Sequence, residues 1–132
     1  MIGLCKPVIG LLLSMFVTII MVSNSIADDV DVIDVVITNS PSNIKGQYRF
    51  SVKLQHPDSG WDHYADKWSV VGSDGTVYGT RVLAHPHVNE QPFTRSLDRV
   101  VIPENIRKVS VRGGDNKGST GGKTITVDVP ER

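Results

Sequence analysis

Cysteine is nearly missing from this chain: Cys5 is the single example in 132 residues, and it precedes an apolar run near the N-terminus. Whatever folds downstream has neither a disulfide framework nor a thiolate metal site, and must be held by an ordinary apolar core. Excess charge is missing as well, since 14 Lys+Arg face 14 Asp+Glu. That balance removes the electrostatic drive of nucleic-acid binding. There is no convincing helical periodicity, no Gly-x-Ser-x-Gly and no His-Glu-x-x-His. Gly121-Gly122-Lys123-Thr124 ends like a phosphate-binding loop, yet Lys117 stands where its first glycine is required. Ser42-Asn43-Ile44-Lys45 has the Ser-x-x-Lys spacing of penicillin-recognising enzymes but none of their partner motifs. Both are turns.

What is present begins with an export signal. Lys6, the apolar run from Val8 to Val22 and the small-residue site Ser25-Ile26-Ala27 predict a signal peptide over residues 1–27, cleaved after Ala27. An uncleaved anchor is the alternative, because the run approaches the lower limit for crossing a bilayer, about 17 residues. Asp28-Asp29 directly after the small-residue site favours cleavage. Cys5 comes before the apolar run instead of ending it, so no lipid anchor is expected. Without Lys6 the remaining 28–132 segment carries 13 Lys+Arg against 14 Asp+Glu. It has the size of one domain. It is expected in the periplasm or outside the cell, with no stable membrane insertion.

Period-two alternation dominates that segment. From Gln47 to His56, Tyr48, Phe50, Val52 and Leu54 fall on one face while Arg49, Ser51, Lys53 and Gln55 fall on the other, which predicts a strand with one face on a core. Val30 to Thr38 is β-branched almost throughout and stops at the breaker cluster Asn39-Ser40-Pro41-Ser42-Asn43. Trp68 to Val71 and Thr76 to Leu83 flank Ser73-Asp74-Gly75, a hairpin turn in which Gly75 can take positive φ. Phe93 to Leu97 and Val100 to Ile102 read as two short extended pieces. Val109 and Val111 mark a strand before Gly113-Gly114, and Ile125, Val127 and Val129 alternate in a last one. About seven strands with turn signals every 8–12 residues predict one antiparallel β-sandwich, immunoglobulin-like or fibronectin-III-like, with a small closed barrel as the alternative.

All four histidines and both tryptophans lie between His56 and His87. In an extended segment His85 and His87 project from the same side, as paired imidazoles do in strand-built zinc and copper sites, and Pro86 places them at an edge or in a loop. A third ligand would come from His63, His56 or Glu90. Imidazole with carboxylate suits zinc or copper(II) better than calcium or magnesium. The plainer alternative is that each imidazole bonds a backbone carbonyl or an aspartate and steadies a loop. Between the blocks, Asp58, Asp62 and Asp66 share a side if the stretch is helical, with Trp61, Tyr64 and Trp68 opposite; if it is extended, Asp62, Tyr64, Asp66 and Trp68 align. Trp68, at a strand start, is expected in the core. Trp61 reads either as packed, the usual state of a large aromatic, or as an open platform for a sugar ring or a partner's apolar anchor. Glu90 and Arg95 are of types that pair, and Phe93 and Leu97 are expected to enter the core.

The run His56-Pro57-Asp58-Ser59-Gly60-Trp61-Asp62-His63-Tyr64-Ala65-Asp66-Lys67-Trp68, with Gly79 to His87 and Glu90-Gln91-Pro92-Phe93-Thr94-Arg95-Ser96-Leu97, resembles a family of small exported bacterial proteins. The resemblance covers about residues 48–129. It implies the periplasm of a Gram-negative cell and no activity. Relatives in that family carry a histidine in the loop before the last strand. Here the loop from Gly113 to Gly122 has none, so the resemblance implies a site that is either incomplete or completed by Asp115.

Together these features point to a periplasmic, non-enzymatic binding domain whose ligands for copper(II) or zinc are His85 and His87 with His63 and Glu90. Its surrounding surface would hold His56, Asp58, Trp61, Asp62, Tyr64, Asp66 and Arg95. A protein- or glycan-interaction module with structural histidines is the second reading. A small hydrolase is the third, disfavoured because a lone small sandwich seldom encloses a pocket.

Overall fold

The alternation along Gln47–Gln55 buries Tyr48, Phe50, Val52 and Leu54 completely and leaves the intervening polar residues outside. The computed structural model describes Gly3 and residues 29–132; the expected signal peptide and its cleavage point lie outside the described residues. Seven strands follow in order: β1 (Asp31–Asn39), β2 (Gln47–Gln55), β3 (Ala65–Val71), β4 (Val77–Val82), β5 (Phe93–Val101), β6 (Lys108–Asp115) and β7 (Ile125–Asp128). One sheet has the order β1-β2-β5 and the other β4-β3-β6-β7, with every pairing antiparallel. Phe50, Val52, Leu54 and Phe93 from the first sheet and Trp68, Val70, Val109 and Val111 from the second form one core. The described residues form an all-β sandwich. No helix among the described residues is long and apolar enough to cross a membrane.

Two boundaries differ from those expected. The pieces at 93–97 and 100–102 belong to one strand, β5, because a bulge interrupts their alternation: Tyr48 pairs with Val100 but Phe50 pairs with Leu97. One additional residue on β5 shifts its faces, and Arg99 takes up the kink at φ 57°. Strand β6 does not stop at Gly113-Gly114 but runs through them to Asp115. A Cβ at Gly113 would come within 3.0 Å of the Val30 side chain, so the bare backbone is what lets the chain ahead of β1 lie against β6.

The antiparallel order brings three loops to one end of the sandwich. The β2–β3, β4–β5 and β6–β7 connections all emerge there, as Ala65 pairs with Asp115 and Lys67 with Val82. Every histidine of the described residues lies in those loops.

Candidate functional site

His56 leaves the end of β2 directly into the interior and is only 1% exposed. Its Nδ1 lies 2.6 Å from Asp58 Oδ1, an oxygen that also accepts the Ala65 N–H at 2.9 Å. The chain then turns through Gly60-Trp61-Asp62-His63, closed by a bridge between Gly60 and His63. That turn swings the His63 ring edge-on to His56, with centroids 4.7 Å apart at 84°. From the end of β6, Asp115 Oδ2 sits 2.8 Å from His63 Nε2, while its Oδ1 accepts the N–H groups of Lys117 and Ser119. His56, His63 and Asp115 each offer one ligand-type atom, and these atoms lie within 4.8 Å of one another. Burial works to raise the Asp115 pKa, but the hydrogen bond from His63 and the N–H groups of Ser119 and Lys117 outweigh it, so the carboxyl is held below its ordinary range. Its stabilising effect is therefore present above the ordinary carboxylate pKa and is lost only as acidification passes the lowered value.

His85 and His87 do share a side, their rings 4.5 Å apart. Their surroundings differ. His87 is 5% exposed and stacks on Phe93 at 3.9 Å and 9°, with Arg95 Nη2 donating to its Nε2 at 2.9 Å. A guanidinium on that nitrogen occupies its lone pair and repels a second cation. His85 is exposed and its Nδ1 is bonded to the Pro86 carbonyl at 2.9 Å. Glu90 is exposed and stands 3.5 Å from Arg95 Nη1. The second loop thus forms a group of its own around Arg95, adjoining the first loop through Asp58, whose Oδ2 accepts the His87 N–H at 2.7 Å.

Burial, then the charges of Arg95 and His85, push the His87 pKa down from its ordinary value near 6.5. The native ring stays neutral while the unfolded one titrates, so stability falls as pH drops from about 6.5 toward the lowered native value. The acid limb of a denaturation-midpoint profile between pH 7 and 5 should be shallower in His87→Gln than in the wild type. Parallel profiles would remove His87 as its origin.

Trp61 is not packed in the core. It is 67% exposed, edge-on to Tyr64 at 5.6 Å and 76°. Its position is set by Asn116, which donates to the carbonyls of Trp61 and Asp62 and accepts the Tyr64 N–H. Asp62 is exposed, and Asp66 is half-buried on β3. The extended reading therefore holds only from Ala65 onward, after the turn. Asn116 and Gln91 carry much of this geometry, yet as uncharged loop residues they stand out by neither spacing nor composition.

A protein from Halomicrobium mukohataei named "Putative lipoprotein" is 44% identical over 79 residues, covering 60% of this chain and 38% of that protein. The chain spans about two fifths of that relative's length. No family profile matches the chain, and no solved structure matches it. The His/Asp cluster at one end of an all-β domain is compatible with a non-enzymatic role.

Proposed function

We propose that this chain is an exported, non-enzymatic binding domain that takes up one zinc or copper(II) ion at His56, His63 and Asp115. The observation that carries the reading is the convergence of three ligand-type atoms, from positions 56, 63 and 115, within 4.8 Å of one another. Metal bonds near 2.0–2.1 Å place tetrahedral ligand atoms about 3.3 Å apart, between the 2.8 Å of the His63–Asp115 pair and the 4.8 Å that bounds the cluster. Two imidazoles with one carboxylate favour zinc or copper(II) over the all-oxygen ions. The ion would replace the proton now shared between His63 Nε2 and Asp115 Oδ2, so uptake should release protons. Export is supported by the lipoprotein name of the Halomicrobium protein and by the apolar N-terminal segment with its small-residue site; the periplasm or the cell exterior fits both.

The test is calorimetry of the purified protein with zinc and copper(II) at neutral pH. One ion per chain is expected, with a heat that depends on the buffer's protonation enthalpy. Binding should vanish in His63→Ala and persist in His85→Ala. No heat with either ion, or equal binding in His63→Ala, overturns the reading.

The exposure of Trp61 favours a second reading, a glycan-interaction platform in which the histidines only steady the loops. Trp61 is open while Trp68 is fully buried, so a fluorescence change on adding soluble oligosaccharides would report on Trp61. Flat titrations would reject this reading.

A further inference from the structure

We infer that Asp58 is the positioning residue that makes His56 a metal ligand and ties the second histidine loop to the same unit; the metal part of this inference rests on the reading above. The Asp58 side chain is fully buried, and its two oxygens meet three donors: the His56 ring Nδ1 and the Ala65 N–H on Oδ1, and the His87 N–H on Oδ2. Because both oxygens already accept backbone N–H groups, the carboxylate acts as an acceptor toward the ring, and the ring proton belongs on Nδ1. Any metal bond from His56 must then come from Nε2. A carboxylate behind a ligating imidazole fixes its tautomer and orientation and raises its basicity.

Gln91 repeats the link on the backbone. Its Oε1 accepts the His56 N–H at 3.1 Å and its Nε2 donates to the His87 carbonyl at 3.0 Å. Both backbone groups of His87 are thus held by side chains that also hold His56 or its ring. The β4–β5 loop, with His85 and Glu90, hangs from the same carboxylate that orients the ligand. Asparagine at position 58 has one accepting oxygen in place of two, so it must present an N–H to one of the present donors.

The experiment compares the purified full chain with Asp58→Asn, using Asp34→Asn, at an exposed position on β1, as a surface control. Three quantities are read: zinc affinity by calorimetry, the His56 tautomer by long-range nitrogen–proton correlation NMR, and hydrogen exchange at the His87 amide. In Asp58→Asn, zinc should bind roughly 10–100-fold more weakly, the His56 proton should move from Nδ1 toward Nε2, and the His87 amide should exchange faster. Asp34→Asn should change none of these. A folded Asp58→Asn protein with unchanged affinity and tautomer overturns the inference while leaving the metal reading standing. If wild-type protein takes up no zinc, the metal reading falls, and the tautomer and exchange measurements still decide the positioning role. Should Asp58→Asn fail to fold, the wild type decides: an Nδ1 without a proton on His56, or an unprotected His87 amide, overturns it.

Discussion

Trp68→Ala should lower stability by about 3–5 kcal/mol, the usual range for emptying a large aromatic site in a core. Trp68 is fully buried on β3, between β4 and β6, with Arg81 across from it on one side and Gly113 on the other. A domain of this size has roughly 5–15 kcal/mol of total stability, so the variant should lose a large share of it. Trp61→Ala should change stability by no more than about 0.5 kcal/mol, because an exposed side chain loses little when it is truncated. Urea denaturation followed by circular dichroism separates the two. Equal losses would mean that the exposed tryptophan carries packing that its position denies, and would undermine the distinction between core and platform.

Gly122→Ala should be nearly as damaging, by about 2–3 kcal/mol or more, for a reason of space. A Cβ there would come closer than 3.0 Å to the Val30 carbonyl oxygen and carbon, which are backbone atoms without freedom to swing aside. The neighbouring chain is pinned as well: Val32 donates its N–H to the Lys123 carbonyl at 2.9 Å, and Lys123 donates to Asp31 Oδ1 at 2.8 Å. Relieving the clash means parting β1 from the β6–β7 loop, and with it the Ser119–Asp29 hydrogen bond. The same urea experiment measures the loss. A stability within 0.5 kcal/mol of the wild type would show that this crossing is loose.

The sheets were largely legible in the letters because burial on one face imposes a period of two, and β2 shows it without interruption from Tyr48 to Leu54. Period alone misplaced the boundaries where geometry departs from a regular ladder. The bulge at Asp98-Arg99 hid the unity of β5, and Gly113-Gly114 looked like a strand end although their missing side chains admit Val30. At the loop end, crowding pointed to the β2–β3 and β4–β5 connections, where all the histidines lie. It did not order the histidines, because Arg95, which engages His87 Nε2, and Asp115, which meets His63, are eight and 52 residues away from their partners. Asp58 looked like one carboxylate of an acidic series, and only its three buried donors set it apart.

The two extremities of the folded domain leave by opposite poles. Asp31 lies across from Gln55, beside His56, and Asp29 bonds Ser119 in the loop that begins at Asp115. Pro130, by contrast, receives the Tyr48 hydroxyl at the far end of β2. Whatever grips the domain by its leading segment, whether a resin, a fused fluorophore or a bilayer, draws the histidine face toward that support. A handle on the trailing residue leaves the same face turned to solution.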